Sequence, residues 1–268
     1  MARAPTRLLL DSSVPLERER KFSSPEGHVP SRAELALALE PTAFSVEAGR
    51  VVRQHDTYFD DARGSLRAAG WALRLRRVAG RTVATAKSAG RVAGAVHERE
   101  EIELEVPDDA PTWPAEIVRA LPTWVDPVAM VPVVLLDTAR IAFTLRSDAG
   151  AVVELVFDEV RCRLPADDEG SDGNGAASPE RAEGTPSDDA ERTVDTDAPP
   201  GAARPFTPEA LFHEVEIEAK AGATDDDLTV VADTLAAILT LTPSSVNKLE
   251  RALALLAPFR PEPRRTGG

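Results

Sequence analysis

The chain has 268 residues, and its 31 basic and 45 acidic side chains give a formal charge of −14. A single cysteine, Cys162, excludes an intramolecular disulfide framework and a CxxC-type zinc site. No apolar run approaches the roughly 20 residues that cross a bilayer, and Leu8-Leu9-Leu10 is too short for a signal-peptide core, so a cytoplasmic protein without a membrane partner is expected. The acidic balance also argues against DNA as a general partner.

The charge is unevenly spread. Between Ala166 and Asp197 there are 11 acidic residues against two arginines, and Val194 is the only large aliphatic residue. Such a stretch buries too little surface to offset its ordering entropy. Residues 166–205 are therefore expected to form a disordered acidic insertion, with flexible termini at 1–13 and 259–268. The rest, 14–258, reads as one domain close to charge balance.

In chain order, Val14–Phe22 carries Glu17, Glu19 and Lys21 at every second position, which sets all three on one face of a strand. Ser31 and Glu34 form a capping box ahead of Leu35, Leu37 and Leu39, and Pro41 ends that helix. Val51–Phe59 is strand-like. Trp71–Val78 places Arg74 and Arg76 on one face, and Ala79-Gly80 turns the chain into Arg81–Lys87, where Val83, Thr85 and Lys87 share a face. By this alternation Ala72 shares the arginine face, while Trp71 is expected to pack on the other side. Val96–Val106 groups Arg99, Glu101, Glu103 and Glu105.

A proline-punctuated stretch with a short helix near Pro114–Leu121 leads to further strands. Ala139–Arg146 groups Arg140, Thr144 and Arg146; Ala151–Val160 groups Glu154, Val156 and Asp158; Phe212–Lys220 groups Glu214, Glu216, Glu218 and Lys220. Two helices close the chain. One is capped by Thr224 and runs to about Leu241, and one runs from Ser244 or Ser245 to about Leu256.

Eight short alternating strands suggest an antiparallel sheet closed or nearly closed on itself. Alternation alone also fits a sheet with one face in water. Two features speak for a polar interior. Like charges recur two apart on one strand face, where they repel unless an ion or ligand compensates them. These faces also carry few long aliphatics, whereas a barrel of roughly eight strands is wide enough for side chains or one small ligand. Carboxylates hold Mg²⁺ together with substrate phosphates, and Arg and Lys hold phosphate oxygens. The constellation is that of a metal-dependent phosphoryl-transfer or phosphate-binding site.

The run Glu17-Arg18-Glu19-Arg20-Lys21 resembles the ExExK signature of the CYTH superfamily, the triphosphate tunnel metalloenzymes. Asp56-Thr57-Tyr58-Phe59-Asp60, Ala72-Leu73-Arg74-Leu75-Arg76, Lys87, Arg99-Glu100-Glu101, Arg140, Glu154 with Asp158, Glu216-Ile217-Glu218-Ala219-Lys220 and Ser245-Val246-Asn247-Lys248-Leu249-Glu250-Arg251 follow in that family's order. The resemblance implies a mainly β (α+β) fold, a closed eight-stranded antiparallel β-barrel tunnel with flanking helices. It implies metal ligation by Glu17, Glu19, Asp158, Glu216 and Glu218, with two Mg²⁺ or Mn²⁺ ions as cofactors. It implies a phosphate track of Lys21, Arg74, Arg76, Lys87, Arg99, Arg140, Lys220 and Lys248, of which Lys21, Arg74, Arg76, Lys87 and Lys220 serve catalysis. Glu101, Glu103, Glu154, Glu214, Arg146 and Arg251 are left without a firm role.

The function so implied is divalent-metal-dependent hydrolysis of a triphosphate, foremost inorganic triphosphate, by a monomer or homodimer. The alternatives are an adenylyl cyclase making cyclic AMP from ATP and a non-catalytic polyphosphate-binding module. His55, His97 and Cys162 read as structural.

Overall fold

The structure is a computed structural model. It describes residues 16–88, 91–93, 96–108, 112–166 and 208–259, with Leu16, Glu17, 91–93 and 96–100 described by backbone alone. The expected acidic insertion (apart from Ala166) and the expected flexible termini (apart from Phe259) lie outside these residues.

The described chain is mainly β and antiparallel, with a few helices, as the alternation requires. Strands β1 (Leu16–Ser23), β2 (Phe44–Val46), β3 (Arg50–Asp60), β4 (Ala72–Val78), β5 (Arg81–Lys87), β6 (Arg91–Ala93), β7 (Val96–Val106), β8 (Val131–Ser147), β9 (Val152–Arg163), β10 (Glu209–Ala219) and β11 (Thr242–Pro243) join one sheet. Its neighbour order is β11-β1-β10-β9-β8-β3-β4-β5-β7-β6, with β2 added to β8. Strand β1 pairs with β10 over Glu19–Ser23 and also with β7 over Leu16–Arg20. The β4–β5 turn has positive φ at both Ala79 and Gly80, the twist a two-residue hairpin needs.

Beyond the short strands β2 and β6 and the one-turn helix Ser65–Ala68, which the sequence reading does not contain, three elements differ from it. Strand β8 begins at Val131, not Ala139, and so contains Pro132. That proline sits opposite Phe59 where the β3–β8 register shifts, an irregularity that tolerates a missing N–H donor. Thr242 and Pro243 pair with Ser23 and Phe22, and the Ser244 amide donates to the Lys21 carbonyl at 2.9 Å. This strand-like segment delays the last helix, α5 (Lys248–Leu256), whose cap is Asn247 with Glu250 and not Ser244 or Ser245. Helix α4 (Asp225–Ala236) keeps the expected Thr224 cap but ends five residues before Leu241.

Helices pack on the sheet where its faces are apolar. Helix α1 (Arg32–Leu39), capped by Ser31 and Glu34 as expected, joins α4 over the odd-numbered residues of β8–β10, among them Phe143, Leu155 and Ile217. Helices α2 (Ser65–Ala68) and α3 (Ala115–Ala120) cover Leu73, Ala84 and Ala86. Helix α5 is different. Its Leu249, Ala252, Leu253 and Leu256 pack on Val134, Leu136, Val160, Cys162 and Phe212. These even-numbered positions share a strand face with Arg140, Asp158 and Glu214. The charged face thus ends in an apolar floor covered by α5, and Lys248, the first residue of α5, stands at the boundary.

Candidate active site

The charged strand faces bound a cavity of about 410 Å³, within the size range of small-ligand sites. Each strand contributes its alternate residues. Strand β1 gives Glu19 and Lys21, β10 gives Glu216 and Glu218, β9 gives Glu154 and β8 gives Arg140. Opposite them β4 gives Arg74 and Arg76, β5 gives Thr85 and Lys87, and β7 gives Glu101 and Glu103. Lys220 and Lys248 complete the basic wall.

One end of the cavity holds a knot of opposite charges. Lys248 Nζ lies 2.6 Å from Glu216 Oε1, 2.9 Å from Asp158 Oδ2 and 3.0 Å from Glu214 Oε1. Lys21 Nζ lies 3.1 Å from Glu216 Oε1 and 3.3 Å from Glu19 Oε1. Arg140 donates to both oxygens of Asp158, at 2.9 and 2.7 Å, and to Glu216 Oε2 at 2.8 Å. Burial works against the charged forms of Lys21, Arg140, Glu214, Glu216 and Lys248. For Lys248 the neighbours Asp158, Glu214 and Glu216 outweigh burial and hold the ammonium well above its ordinary pKa. For Lys21 the same is done by Glu19, Glu216 and Glu214. Burial likewise opposes ionisation of Glu216, yet Lys248, Lys21 and Arg140 keep its carboxyl well below the usual range. At Glu214 burial prevails over Lys248 and Lys21 and pushes the carboxyl up. Charges in a low-dielectric setting persist only when so matched.

The other wall is organised by Asp56 of β3. Its carboxylate accepts from Arg76 Nε at 2.7 Å and Nη2 at 2.8 Å, and lies 3.7 Å from Arg74 Nη1. Arg74 Nη2 also donates to Glu103 Oε1 and to Thr85 Oγ1, both at 3.1 Å. Lys87 Nζ is 2.8 Å from Glu101 Oε2. Each guanidinium is therefore anchored on its strand side by an acceptor, which fixes its direction toward the cavity.

The structure brings together Glu19, Lys21, Arg74, Arg76, Lys87, Arg140, Glu216, Glu218, Lys220 and Lys248 around one cavity. Asp158 lies behind the cavity wall, its side chain fully buried under Arg140 and Lys248. The side chains of Glu17, Arg99 and His97 fall outside those described. Three residues left uncertain, Glu101, Glu103 and Glu154, do line the cavity. Arg146 instead pairs with Glu47 on the exposed sheet edge, and Arg251 donates to the His213 carbonyl and covers the Phe212 ring. Trp71 corrects its expectation: it lines the cavity beside Ala72, because it precedes β4 and is not bound by the strand's alternation. His55 points away and pairs with Asp137, and Cys162 is buried in the α5 floor, where burial pushes its thiol up. Sequence reasoning gave Asp56 and Tyr58 no part in the site and set Glu214 on the charged face without a role. The signal was present in the alternation Gln54, Asp56, Tyr58, whose three members are all buried in β3.

The amino-acid sequence matches the CYTH domain family over residues 16–253, and the chain belongs to that family. No curated protein matches it. Among solved structures it is similar to a candidate adenylyl cyclase from Hippeastrum described as having a dominant triphosphatase activity, at 18% identity over 89% of this chain and 95% of that one, with a TM-score of 0.49. It is also similar to a candidate adenylate cyclase from Bacillus halodurans, at 15% identity over 87% and 95%, TM-score 0.45. A third is the inorganic triphosphatase NE1496, at 14% identity over 89% and 94%, TM-score 0.30. Members of the CYTH family are typically metal-dependent triphosphatases that bind triphosphate substrates. Among the described residues no helix is long and apolar enough to cross a membrane.

Proposed function

We propose that this chain is a divalent-cation-dependent triphosphatase whose substrate is inorganic triphosphate. The observation that carries this reading is the cavity itself. Cationic side chains from β1, β4, β5, β8 and α5, together with Lys220 beside β10, converge on a space whose remaining polar groups are carboxylates. The double pairing of β1, with β10 on one side and β7 on the other, supports a tunnel of eight strands around that space.

The donor set supports a hard cation in part. Glu19 and Glu218 are directly opposed across the β1–β10 ladder and both line the cavity. Lys21 and Lys220 already pair with Glu19 and Glu218, and a cation between the two carboxylates would add to these contacts, since carboxylate oxygens are what Mg²⁺ and Mn²⁺ accept. Glu17, two positions before Glu19, extends the same strand face. Among the described residues no three His, Cys, Asp or Glu side chains form a ready cage, in keeping with an ion that also needs oxygens from phosphate or water. When bound, such an ion polarises a phosphoryl oxygen and lowers the pKa of a water.

The chain's own residues do the rest. Arg74, Arg76, Lys87 and Lys220 would take the oxygens of the phosphate chain and hold it along the basic wall. Lys21, Arg140 and Lys248 would offset the charge that builds on the far phosphate. Preset donors that need no reorganisation lower the barrier through electrostatics and positioning. The apolar floor under α5 limits water to one side.

Trp71, Tyr58, Ala72 and Leu249 on the cavity wall favour a second reading, in which the triphosphate carries an organic group. The deciding experiment measures phosphate release from inorganic triphosphate, ATP and thiamine triphosphate with Mg²⁺ or Mn²⁺, alongside cyclic AMP formation. Absence of phosphate release from all three would overturn the hydrolase reading.

A further inference from the structure

The carboxylates of Asp158, Glu214 and Glu216 sit within reach of one another at the α5 end of the cavity. All three are buried, with side-chain exposures of 0, 0 and 10%. Three carboxylates around one point carry the charge a divalent cation would balance, although as placed they form no ready cage for one. Here, however, one atom already makes the contacts such an ion would make: Lys248 Nζ lies 2.6–3.0 Å from an oxygen of each.

We propose that Lys248 is the built-in cation of this pocket, so that in the phosphate-free protein a divalent metal ion and the Lys248 ammonium exclude one another there. Charge matching supports it. Lys248, Lys21 and Arg140 contribute three positive charges against the formal four negative charges of Glu19, Asp158, Glu214 and Glu216. A divalent ion added to this set would leave one buried positive charge unmatched, which a low-dielectric interior opposes, whereas with Lys248 neutralised the same ion would balance it. Arg140 closes the pocket further by holding both oxygens of Asp158 and the second oxygen of Glu216. Helix packing fixes the arrangement. Asn247 caps α5, Leu249 and Leu253 lock the helix on the floor, and Lys248 as its first residue has one inward course. The metal is left to the Glu19–Glu218 side of the cavity. A phosphate chain that drew Lys248 across the cavity wall, which it lines, would open the pocket.

This inference rests on the cation-binding part of the reading above and not on which phosphate is cleaved. The test counts Mn²⁺ bound per full chain by electron paramagnetic resonance, with no phosphate compound present. Lys248→Met should bind one more Mn²⁺ than the natural sequence, and Lys248→Met/Asp158→Asn should lose that extra ion. Asp158→Asn alone should leave the count of the natural chain unchanged. Equal counts for Lys248→Met and the natural chain would overturn the proposal, and so would a lower count in Asp158→Asn. If Lys248→Met does not fold, the Asp158→Asn count decides alone. Phosphate release is measured separately. Its absence together with the expected counts overturns the triphosphatase reading and leaves this inference standing.

Discussion

Arg76 and Asp56 face each other across the β3–β4 ladder and are joined twice, Nε to Oδ1 at 2.7 Å and Nη2 to Oδ2 at 2.8 Å. The pair lies inside the charged face, and the Asp56 side chain has no exposed surface. Asp56 is therefore the strut that holds both Arg74 and Arg76 toward the cavity.

Removing that strut should be costly. Asp56→Asn leaves two buried guanidiniums short of a counter-charge, and breaking a buried pair costs about 3 kcal/mol or more. Denaturant unfolding at neutral pH should show that loss. The pH dependence has a definite sign. Burial raises the Asp56 pKa, but Arg74 and Arg76 outweigh it, so the folded-state value lies below the ordinary 3.8. The contribution is then fully present above that ordinary value and is lost as pH falls through the lower, folded-state one. The stability gap between natural chain and variant should stay constant from neutral pH to about pH 4 and narrow only below it. A gap that already closes near pH 6 would contradict the pairing.

The link between β9 and β10 gives a second test. Arg163 and Glu209 are register partners at the ends of these strands, although 164–208 separates them in sequence. Paired Cα atoms are about 4.5–5.5 Å apart, a gap that a hairpin loop of a few residues closes. Replacing 166–205 by a short Gly/Asn turn shortens the loop by about three doublings, each worth about 0.6 kcal/mol of closure entropy. Thermal and urea unfolding should show unchanged or higher stability, by up to about 2 kcal/mol. A loss of that size would mean that the removed residues pack on the domain.

How far the sequence carries depends on the range of the interaction. Local rules located the eight longer strands through alternation, the helix starts through Ser31/Glu34 and Thr224, and most of the cavity wall through side-chain parity. Contacts set by chain packing were beyond those rules. Thr242-Pro243 looks like a helix approach until the edge of β1 is there to pair with it. The proline in β8 looks like a break until a register irregularity in β3 accommodates it. The neutralisation of Asp158, Glu214 and Glu216 by Lys248 depends on α5 packing over residues as distant in sequence as Val134. No local pattern encodes that juxtaposition.

Trp71 separates the two substrate readings. A ring stacked on an organic group is worth about 0.5–1.5 kcal/mol beyond area burial. Trp71→Ala should therefore change kcat/KM for inorganic triphosphate by less than about twofold. It should lower kcat/KM for ATP or thiamine triphosphate by roughly two- to tenfold if either organic group rests there. A large loss on inorganic triphosphate would show that Trp71 positions the phosphate wall instead.

The choice of substrate is the prediction on which the functional reading turns. Lys21, Arg74, Arg76, Lys87, Arg140, Lys220 and Lys248 line a single cavity, whereas the apolar lining near Trp71 offers few groups that could recognise a base. Binding energy should then reside in the phosphates, and an added nucleoside should contribute little to the transition state. Inorganic triphosphate is expected to be hydrolysed with a kcat/KM at least about tenfold above that of ATP, or 1.4 kcal/mol of transition-state stabilisation. Lys87 is the cleanest probe, because its ammonium contacts Glu101 at the cavity wall and is not part of the buried knot around Glu216. A hydrogen bond to a charged group contributes about 1.5–3 kcal/mol, so Lys87→Ala should lower kcat/KM for inorganic triphosphate by roughly 10–100-fold. Far-ultraviolet circular dichroism should remain unchanged, which separates lost phosphate contacts from lost fold. If ATP proves the better substrate, or cyclic AMP accumulates at a comparable rate, the organic-group reading centred on Trp71 and Tyr58 takes precedence.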